Sequence, residues 1–452
     1  MFIKLNLRNF RCFENIEFDL TSKKDTPKHL ALIYGENGAG KSNLVSAFVM
    51  LCELLQTLDV RDMLEELISK KSIFNDEKYE QMVRQKCISE LRDMKAIIND
   101  VRMVGSEDNT VVRYDFAISG RVGSYTAEFG EEEIVHERLE FILNKRRGVY
   151  FDCTKNSILL NEKIFISSEL KTEIEFSARK FWGKHSILAI ILYELKDKST
   201  AFGWENISPN LRDVLNEFDK LSCAVKIGHR MWYGIQPPIK LLAAPEKGTI
   251  SAAEEPQLDL VEGILTSFFS STNSDIQRVY YERRADGERI RYQLFFEKKI
   301  AAKLRQIHFS KESTGTHNLL DMFCYLLTAC SGRTVVIDEA DSGIHDALFW
   351  KVLQDTYAHI DGQLIMTTHN TMLMETDFGR DSVYILQEND NGEAEIKCIN
   401  DHERRTFANN NIRNKYLNNE YGGIPQVRPI NIENQINVLQ EYIDRQSYAN
   451  VF

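Results

Sequence analysis

The sequence predicts an α/β fold assembled from both ends of the chain, with an antiparallel β lobe and a helical insertion between them. Three observations carry that prediction. A short apolar run at residues 29–34 ends in a glycine-rich loop and passes into a helical pattern from Lys41. Near the other end, β-rich runs at 334–337, 363–366 and 382–386 alternate with helical stretches, the βαβ rhythm of a parallel sheet. In the middle, residues 111–160 resolve into short strands, and 166–270 return to helical periodicity.

Taken in order, Phe2, Leu5 and Leu7, then Ile16, Phe18 and Leu20, alternate with polar residues as half-buried strands do, so a hairpin or meander opens the fold around Asn9-Phe10-Arg11-Cys12-Phe13. The helix from Lys41 to Leu55 carries apolar residues at 44, 45, 48, 49 and 52. Residues 56–106 are charged and helical in pattern. Strands follow at 111–118, 125–129 and 137–143, with short runs at 149–151 and 158–160 completing that sheet. The helical stretch beyond 166 is most regular at 187–195 and 211–221. Residues 278–296 form a hairpin around the Asp286-Gly287 turn. The expected division is therefore an N-terminal lobe over 1–165, a helical insertion over 166–275, a C-terminal lobe over 276–425 and a tail over 426–452.

Composition narrows the class. In 452 residues, 43% hydrophobic and 27% charged, there are only 8 prolines and 23 glycines, which is globular and without low-complexity tracts. The longest apolar run, 187–195, falls short of a bilayer span, so no membrane helix is expected. The first residues lack an apolar stretch followed by a small-residue cleavage site, and a cytoplasmic location is the expectation. Eight cysteines are scattered without a CxxC pair or zinc-finger spacing, and are expected to be reduced core thiols. A net charge of −11 argues against a surface that binds nucleic acid everywhere, and leaves room for a local basic patch.

The chemistry begins at Gly35-Glu36-Asn37-Gly38-Ala39-Gly40-Lys41-Ser42, which matches GxxxxGK[ST] between a strand and a helix. Gly35, Gly38 and Gly40 let backbone N–H groups, with Asn37 and Asn43 at the loop and helix start, surround the phosphates of ATP. Lys41 meets the β and γ phosphates, and Ser42 ligates Mg²⁺. Downstream, the apolar run Thr334-Val335-Val336-Ile337 ends in Asp338-Glu339, the Walker B form: Asp338 holds Mg²⁺ through water and Glu339 polarises the attacking water. The next strand runs into Thr367-Thr368-His369, and Glu312-Ser313-Thr314-Gly315-Thr316 opens an apolar helix ahead of Walker B. As a plain helix start, Ser313 needs no ligand to explain it.

Together with Phe10-Arg11-Cys12-Phe13 and Asp341-Ser342-Gly343-Ile344-His345, these segments resemble the ABC-type ATPase heads of RecF, SMC and OLD proteins. The tail, Lys415-Tyr416-Leu417 with Tyr421-Gly422-Gly423-Ile424-Pro425, is similar to stand-alone bacterial ATPases of phage-defence operons such as PARIS-type systems. The resemblance covers residues 1–55 and 305–425. It implies that His369 touches the γ-phosphate, that Ser313 and Gly315 belong to a divergent signature motif gripping the nucleotide of another subunit, that residues 341–345 touch the partner head, and that Arg11 contacts nucleotide, with a plain surface arginine as the equal alternative. No glutamine can be placed in the sensing loop of that family.

Arginines and lysines gather at 278–305 with Tyr280, Tyr281 and Tyr292 among them, diluted by acids; this is either a solvated hairpin face or a contact for DNA or protein. No heptad pattern for a long coiled coil is present, and after His369 no carboxylate set for a nuclease centre follows. The expectation is an ATPase with ATP and Mg²⁺ as cofactors, a homodimer or higher oligomer through shared ATP sites, controlling a separate effector (nuclease or toxin) encoded nearby in anti-phage defence. The alternative is a RecF-like DNA repair ATPase that binds duplex DNA; a transporter subunit with a membrane partner is disfavoured.

Overall fold

The computed structural model describes residues 1–23, 25–69, 91–197, 200–227, 230–389, 391–402, 411–424 and 431–449. Strands β1 (Phe2–Phe10) and β2 (Phe13–Asp19) pair antiparallel with Phe10 opposite Phe13, and the tight turn between them holds Arg11 at a φ of 52°. After the small hairpin β3 (Thr21–Lys23) and β4 (Thr26–Pro27), β5 (Leu30–Gly35) leads through the glycine-rich loop into α1 (Lys41–Ser69). Helix α2 (Met94–Val101) precedes five strands: β6 (Thr110–Ile118), β7 (Arg121–Phe129), β8 (Ile134–Leu143), β9 (Arg146–Thr154) and β10 (Ser157–Leu160). These join β1 and β2 in an antiparallel sheet of order β10-β9-β8-β7-β6-β1-β2.

Helices α3 (Ser168–Phe181), α4 (Ile187–Asp197), α5 (Thr200–Glu205) and α6 (Pro209–Asp219) follow. Here the structure departs from the helical reading of 166–275. Residues beyond Asp219 form β11 (Ser222–Ile227), β12 (Arg230–Gly234) and β13 (Lys247–Ser251) before α7 (Pro256–Thr272). The run Leu221-Ser222-Cys223-Ala224-Val225 is buried throughout, and a short run buried on every side has no period by which to tell strand from helix. The helical pattern expected over 56–106 likewise ends at Arg102, and its residues 70–90 lie outside the described ones.

The hairpin is longer than its turn suggested: β14 (Ile276–Asp286), β15 (Arg289–Ile300) and β16 (Lys303–His308), with β13 also on β15, form the third sheet. Then come α8 (Thr314–Cys330), β17 (Thr334–Ile337), α9 (Asp346–Tyr357), β18 (Gln363–Thr367), β19 (Val383–Glu388) and β20 (Ala394–Cys398). Helices α10 (Ile412–Leu417) and α11 (Ile432–Ala449) lie in the C-terminal segment.

The second large sheet has the order β12-β11-β17-β18-β5-β19-β20; β11 through β19 run parallel and the edges β12 and β20 antiparallel. Helix α1 lies between the two large sheets. Its Phe48 packs on Phe2 at 5.1 Å between ring centroids, and the same core takes in Tyr114 and Phe116 from one sheet and Ile33, Val336 and Ile365 from the other. Residues 41–67 are long and apolar enough to cross a membrane, but 72% of their most apolar window is buried inside the protein, as a core helix requires. Of the seven cysteines described, none is in a disulfide; five are buried as expected, Cys330 is half-buried, and Cys12 is exposed.

Candidate nucleotide-binding site

The parallel strands set the site because their carboxyl ends stand side by side. Gly35 is opposite Leu386 of β19, Thr367 opposite Ile33, and Ile337 opposite Met366. The loop leaving β5 turns back on itself with left-handed backbone at Gly38 (φ 91°) and Gly40 (φ 100°). A Cβ on Gly40 would stand 2.8 Å from the Phe13 ring, and one on Gly35 2.4 Å from the Leu386 carbonyl, so neither tolerates a side chain. Glu36, Asn37 and Gly38 form the exposed crest, and α1 begins where the Leu44 N–H donates to the Gly40 carbonyl at 2.8 Å.

Lys41 is buried, and its Nζ donates to the carbonyls of Gly35 (2.8 Å) and Glu36 (3.0 Å). Burial lowers its pKa, and the charges of Asp338, Glu339 and Asp341 oppose that shift. Lys41 and the Walker B acids thus lie at the same carboxyl end of the parallel sheet, close enough for their charges to act on one another. Ser42 and Asn43 are half-buried on the first turn of α1.

Asp338 is buried, and its Oδ1 accepts from the Thr367 hydroxyl at 2.6 Å. The same hydroxyl accepts from the Glu339 N–H at 2.7 Å. Glu339 itself is exposed at a φ of 50°, a left-handed conformation that costs an L-residue about 1 kcal/mol or more. Asp338 Oδ2 is buried without a hydrogen-bond partner. An orphaned carboxylate oxygen suits a hard cation, and Ser42 supplies a further oxygen. Among the described residues no cluster of three or more His, Cys, Asp or Glu side chains could hold a metal, so Mg²⁺ would complete its shell with water and phosphate. His369 is exposed, and its backbone N–H donates to the Asp341 carboxylate at 3.1 Å.

Ser313 caps α8, accepting from the Thr316 N–H at 3.2 Å, and is exposed at the helix N-terminus. Gly315 packs on the loop after Walker B: a Cβ there would lie 2.8 Å from the Gly343 carbonyl. Asn318 donates to the Ser342 carbonyl at 2.9 Å, which ties that loop to the same helix.

Residues 4–224 match the family model of the AAA domain. Comparison with curated proteins gives no match. Among solved structures the chain is similar to the Smc head bound to the C-winged helix domain of ScpA, with 14% identity over 88% of this chain and 96% of that one and a TM-score of 0.42. It is also similar to the SMC head domain from Thermotoga maritima (15% identity, 88% and 98% covered, TM-score 0.36). A third is the Smc head domain with an extended coiled coil, bound to the C-terminal domain of ScpA derived from Pyrococcus furiosus (13% identity, 88% and 95% covered, TM-score 0.41).

Arg11 stands beside the glycine-rich loop and is paired on both sides. One guanidinium nitrogen pairs with Asp100 at 2.9 Å, and another reaches Asn43 at 3.4 Å. Burial lowers its pKa, with Asp100 opposing, and its Nε is buried without a partner. The strand beside β17 is β11, which ends at Ile227 and is followed in sequence by Gly228-His229, so no glutamine follows it directly. The C-terminal segment buttresses the loop from behind. Tyr416 packs edge-on against Tyr34 at 5.8 Å, its hydroxyl donates to the Gly423 carbonyl at 3.1 Å, and Gly423 stands against Gly35 closely enough that a Cβ would lie 3.3 Å from the Gly35 Cα.

Thr367, Asn318 and Asp341 position the site's groups; Thr367 and Asp341 lie inside segments the sequence already marks, and Asn318 lies outside them. Thr367 carried a signal, since a hydroxyl at the end of an apolar buried strand must find a partner. Asn318 carried none, because its target is a backbone carbonyl.

Proposed function

We propose that the chain is an ATP-hydrolysing head of the ABC type, related to SMC and RecF proteins, whose nucleotide state controls a separate effector in bacterial anti-phage defence. The observation that carries the ATPase reading is the Thr367 hydroxyl, which fixes Asp338 and the Glu339 backbone together beside a glycine loop whose lysine feels both acids. On nucleotide binding, Lys41 exchanges the Gly35 and Glu36 carbonyls for phosphate oxygens. Asp338 and Ser42 hold Mg²⁺, which neutralises charge on the phosphates. Glu339 orients and polarises the water, and His369, set by Asp341, meets the γ-phosphate. Asn37, Gly38, Gly40 and Asn43 line the loop, with Arg11 supporting it through Asn43.

Ser313 and Gly315 serve the nucleotide of a second copy, so that a homodimer shares two sites. In this reading the lobes 1–165 and 276–425, together with β11 and β12 of the parallel sheet, form the head, the helices between Ser168 and Asp219 and the β14–β16 hairpin offer the effector surface, 426–452 is a tail, and the protein works in the cytoplasm without a membrane partner. Equilibrium ATP binding and turnover test the core: Lys41→Ala loses binding, while Glu339→Gln binds ATP and fails to turn it over. Wild-type turnover in Glu339→Gln refutes the assigned role. Co-purification with the product of the neighbouring gene, with and without ATP, tests the effector.

A second reading, duplex-DNA binding in a RecF-like repair role, is favoured by one face of the third sheet. Arg278, Arg284, Arg289 and Arg291 are exposed there, and Tyr280 stacks on Phe295 at 5.7 Å. Tight salt-sensitive binding to duplex DNA without an effector supports it.

A further inference from the structure

The basic cluster of the third sheet is not one surface. Arg283 turns inward and pairs with Asp259 (2.5 Å) and Glu262 (2.8 Å) on α7. Lys298, on β15, also leaves the cluster: its Nζ meets Glu312 Oε2 at 2.5 Å, with only 14% and 6% of the two side chains exposed. Glu312 is the residue immediately before Ser313, the cap of α8.

That position raises an electrostatic problem. The N-terminus of a 17-residue helix carries partial positive charge and offers free N–H groups, the property on which gripping a phosphate depends. A carboxylate one residue upstream works against an incoming anion. Buried as it is, Glu312 is poorly screened by solvent, so its charge would be felt strongly unless something cancels it. Lys298 is that something. The surrounding contacts fix the geometry: Phe309 packs edge-on against Phe296, near Lys298, at 5.2 Å between centroids, and against the tilted ring of His317 in the first turn of α8 at 4.3 Å, while His317 pairs with Glu246 at 2.7 Å.

We infer that Lys298 is a positioning and charge-cancelling residue for the shared site: it holds the Glu312 carboxylate neutralised and turned into the sheet, so that the Ser313 end of α8 can accept the γ-phosphate of a second copy. This rests on the reading of Ser313 as a signature residue. It separates charge from packing in a way that a simple structural tie does not. Losing Lys298 alone leaves an uncancelled carboxylate beside the phosphate; losing both charges removes the conflict.

The experiment measures kcat, KM for ATP and melting temperature for Lys298→Met, Glu312→Gln, the double variant and Ser313→Arg. Lys298→Met is expected to lose about tenfold or more in kcat, with ATP binding to the isolated chain unchanged, because that chain's own loop is untouched. Glu312→Gln is expected to stay near wild type, and the double variant to recover most of what Lys298→Met loses. Equal losses in both single variants with no recovery in the double, or an unaffected Lys298→Met, overturn the proposal. If Lys298→Met fails to fold, Glu312→Gln decides: a tenfold fall in its turnover overturns the proposal and near-wild-type turnover supports it. Wild-type turnover in Ser313→Arg refutes the shared site itself, a separate outcome.

Discussion

In the parallel sheet, β5, β17 and β18 are buried at every residue, whereas β14 and β15 in the third sheet alternate buried and accessible positions along most of their length. A strand covered on both faces has nowhere to put a polar group except its ends, and the carboxyl ends are where ligands of open α/β sheets bind. A strand with one wet face can carry charge at every second position for solubility alone. A buried polar residue at the carboxyl ends of the parallel sheet therefore points to chemistry, and a charged residue in the third sheet says little until its partner is known. Arg283 and Lys298 illustrate the second case, since neither belongs to the outward face that their numbers suggested.

The largest effect that would sharpen this contrast is expected from Thr367→Val. The substitution keeps the shape and removes the one hydroxyl that both donates to Asp338 and accepts from the Glu339 N–H. Turnover should fall about 100-fold, as for loss of an outer-shell partner. Stability should fall by about 1–3 kcal/mol, because a part-buried N–H and a buried carboxylate oxygen lose their partner. Steady-state kinetics and chemical denaturation measure the two together. Turnover near wild type would break the link between burial in the parallel sheet and function.

The antiparallel sheet supplies the counterexample. Glu137 on β8 is fully buried, accepting from the Tyr125 hydroxyl at 2.9 Å and from the Ile187 N–H at 2.7 Å, so its carboxylate caps the start of α4. Burial pushes its pKa up from 4.5 to about 7, with those hydrogen bonds opposing. The folded state then keeps a proton that the unfolded chain releases, so this residue's contribution to stability declines as pH rises from about 4.5 to about 7 and levels off above. Glu137→Gln removes the slope. Relative to wild type it should gain on the order of 3 kcal/mol between pH 5 and pH 8, with kcat unchanged. Denaturation across that range checks it, and a pH-independent difference would count against the buried acid.

What could be read from the sequence follows the same division. The glycine loop, Asp338-Glu339 and His369 are legible because each terminates a strand too apolar to be anything but internal. The opening hairpin and the β6–β10 strands are legible from their alternation. Strand β11 was lost to a helical reading because Ser222–Ile227 is short and its described residues are buried apart from exposed Lys226, leaving no period to count. Asn318 is silent because it acts on a backbone carbonyl, which sequence does not mark, and Asp341 stands in a marked segment whose contact with the His369 N–H only the structure shows. Gly422 and Gly423 stood out in the sequence, but only the packing of Gly423 against Gly35 gives them a physical reason.

A middle-sized effect comes from mixing chains. If Ser313 serves the nucleotide of another copy, equal amounts of Ser313→Arg and Lys41→Ala chains form mixed dimers with one intact and one doubly broken site. With random pairing and independent sites, about a quarter of wild-type turnover should return. Cooperativity between sites lowers that figure. Its complete absence in verified mixed dimers would confine each site to a single chain and would remove the functional reason for the exposed helix end at Ser313.

The smallest expected effect lies on the outward face of the third sheet, and it is the most informative about partners. Arg284 and Arg289 are exposed, on strands whose apolar residues already pack against α7 and α8. Exposed charges in such a place contribute little to folding, so Arg284→Ala with Arg289→Ala should change stability by no more than about 0.5 kcal/mol. Intrinsic ATP turnover should be unchanged, because both residues lie on the third sheet and neither contributes a contact to the glycine-rich loop, Asp338 or Glu339. Any loss then belongs to a partner. If DNA occupies this face, removing two phosphate contacts should weaken binding to every sequence alike and reduce the salt dependence of binding by roughly two counterions. If an effector protein docks there, co-purification should fall while DNA binding stays absent at all salt concentrations. A variant that keeps its stability, turnover and every partner shows the face to be merely solvated, which would leave the helices between Ser168 and Asp219 as the place to look for the effector.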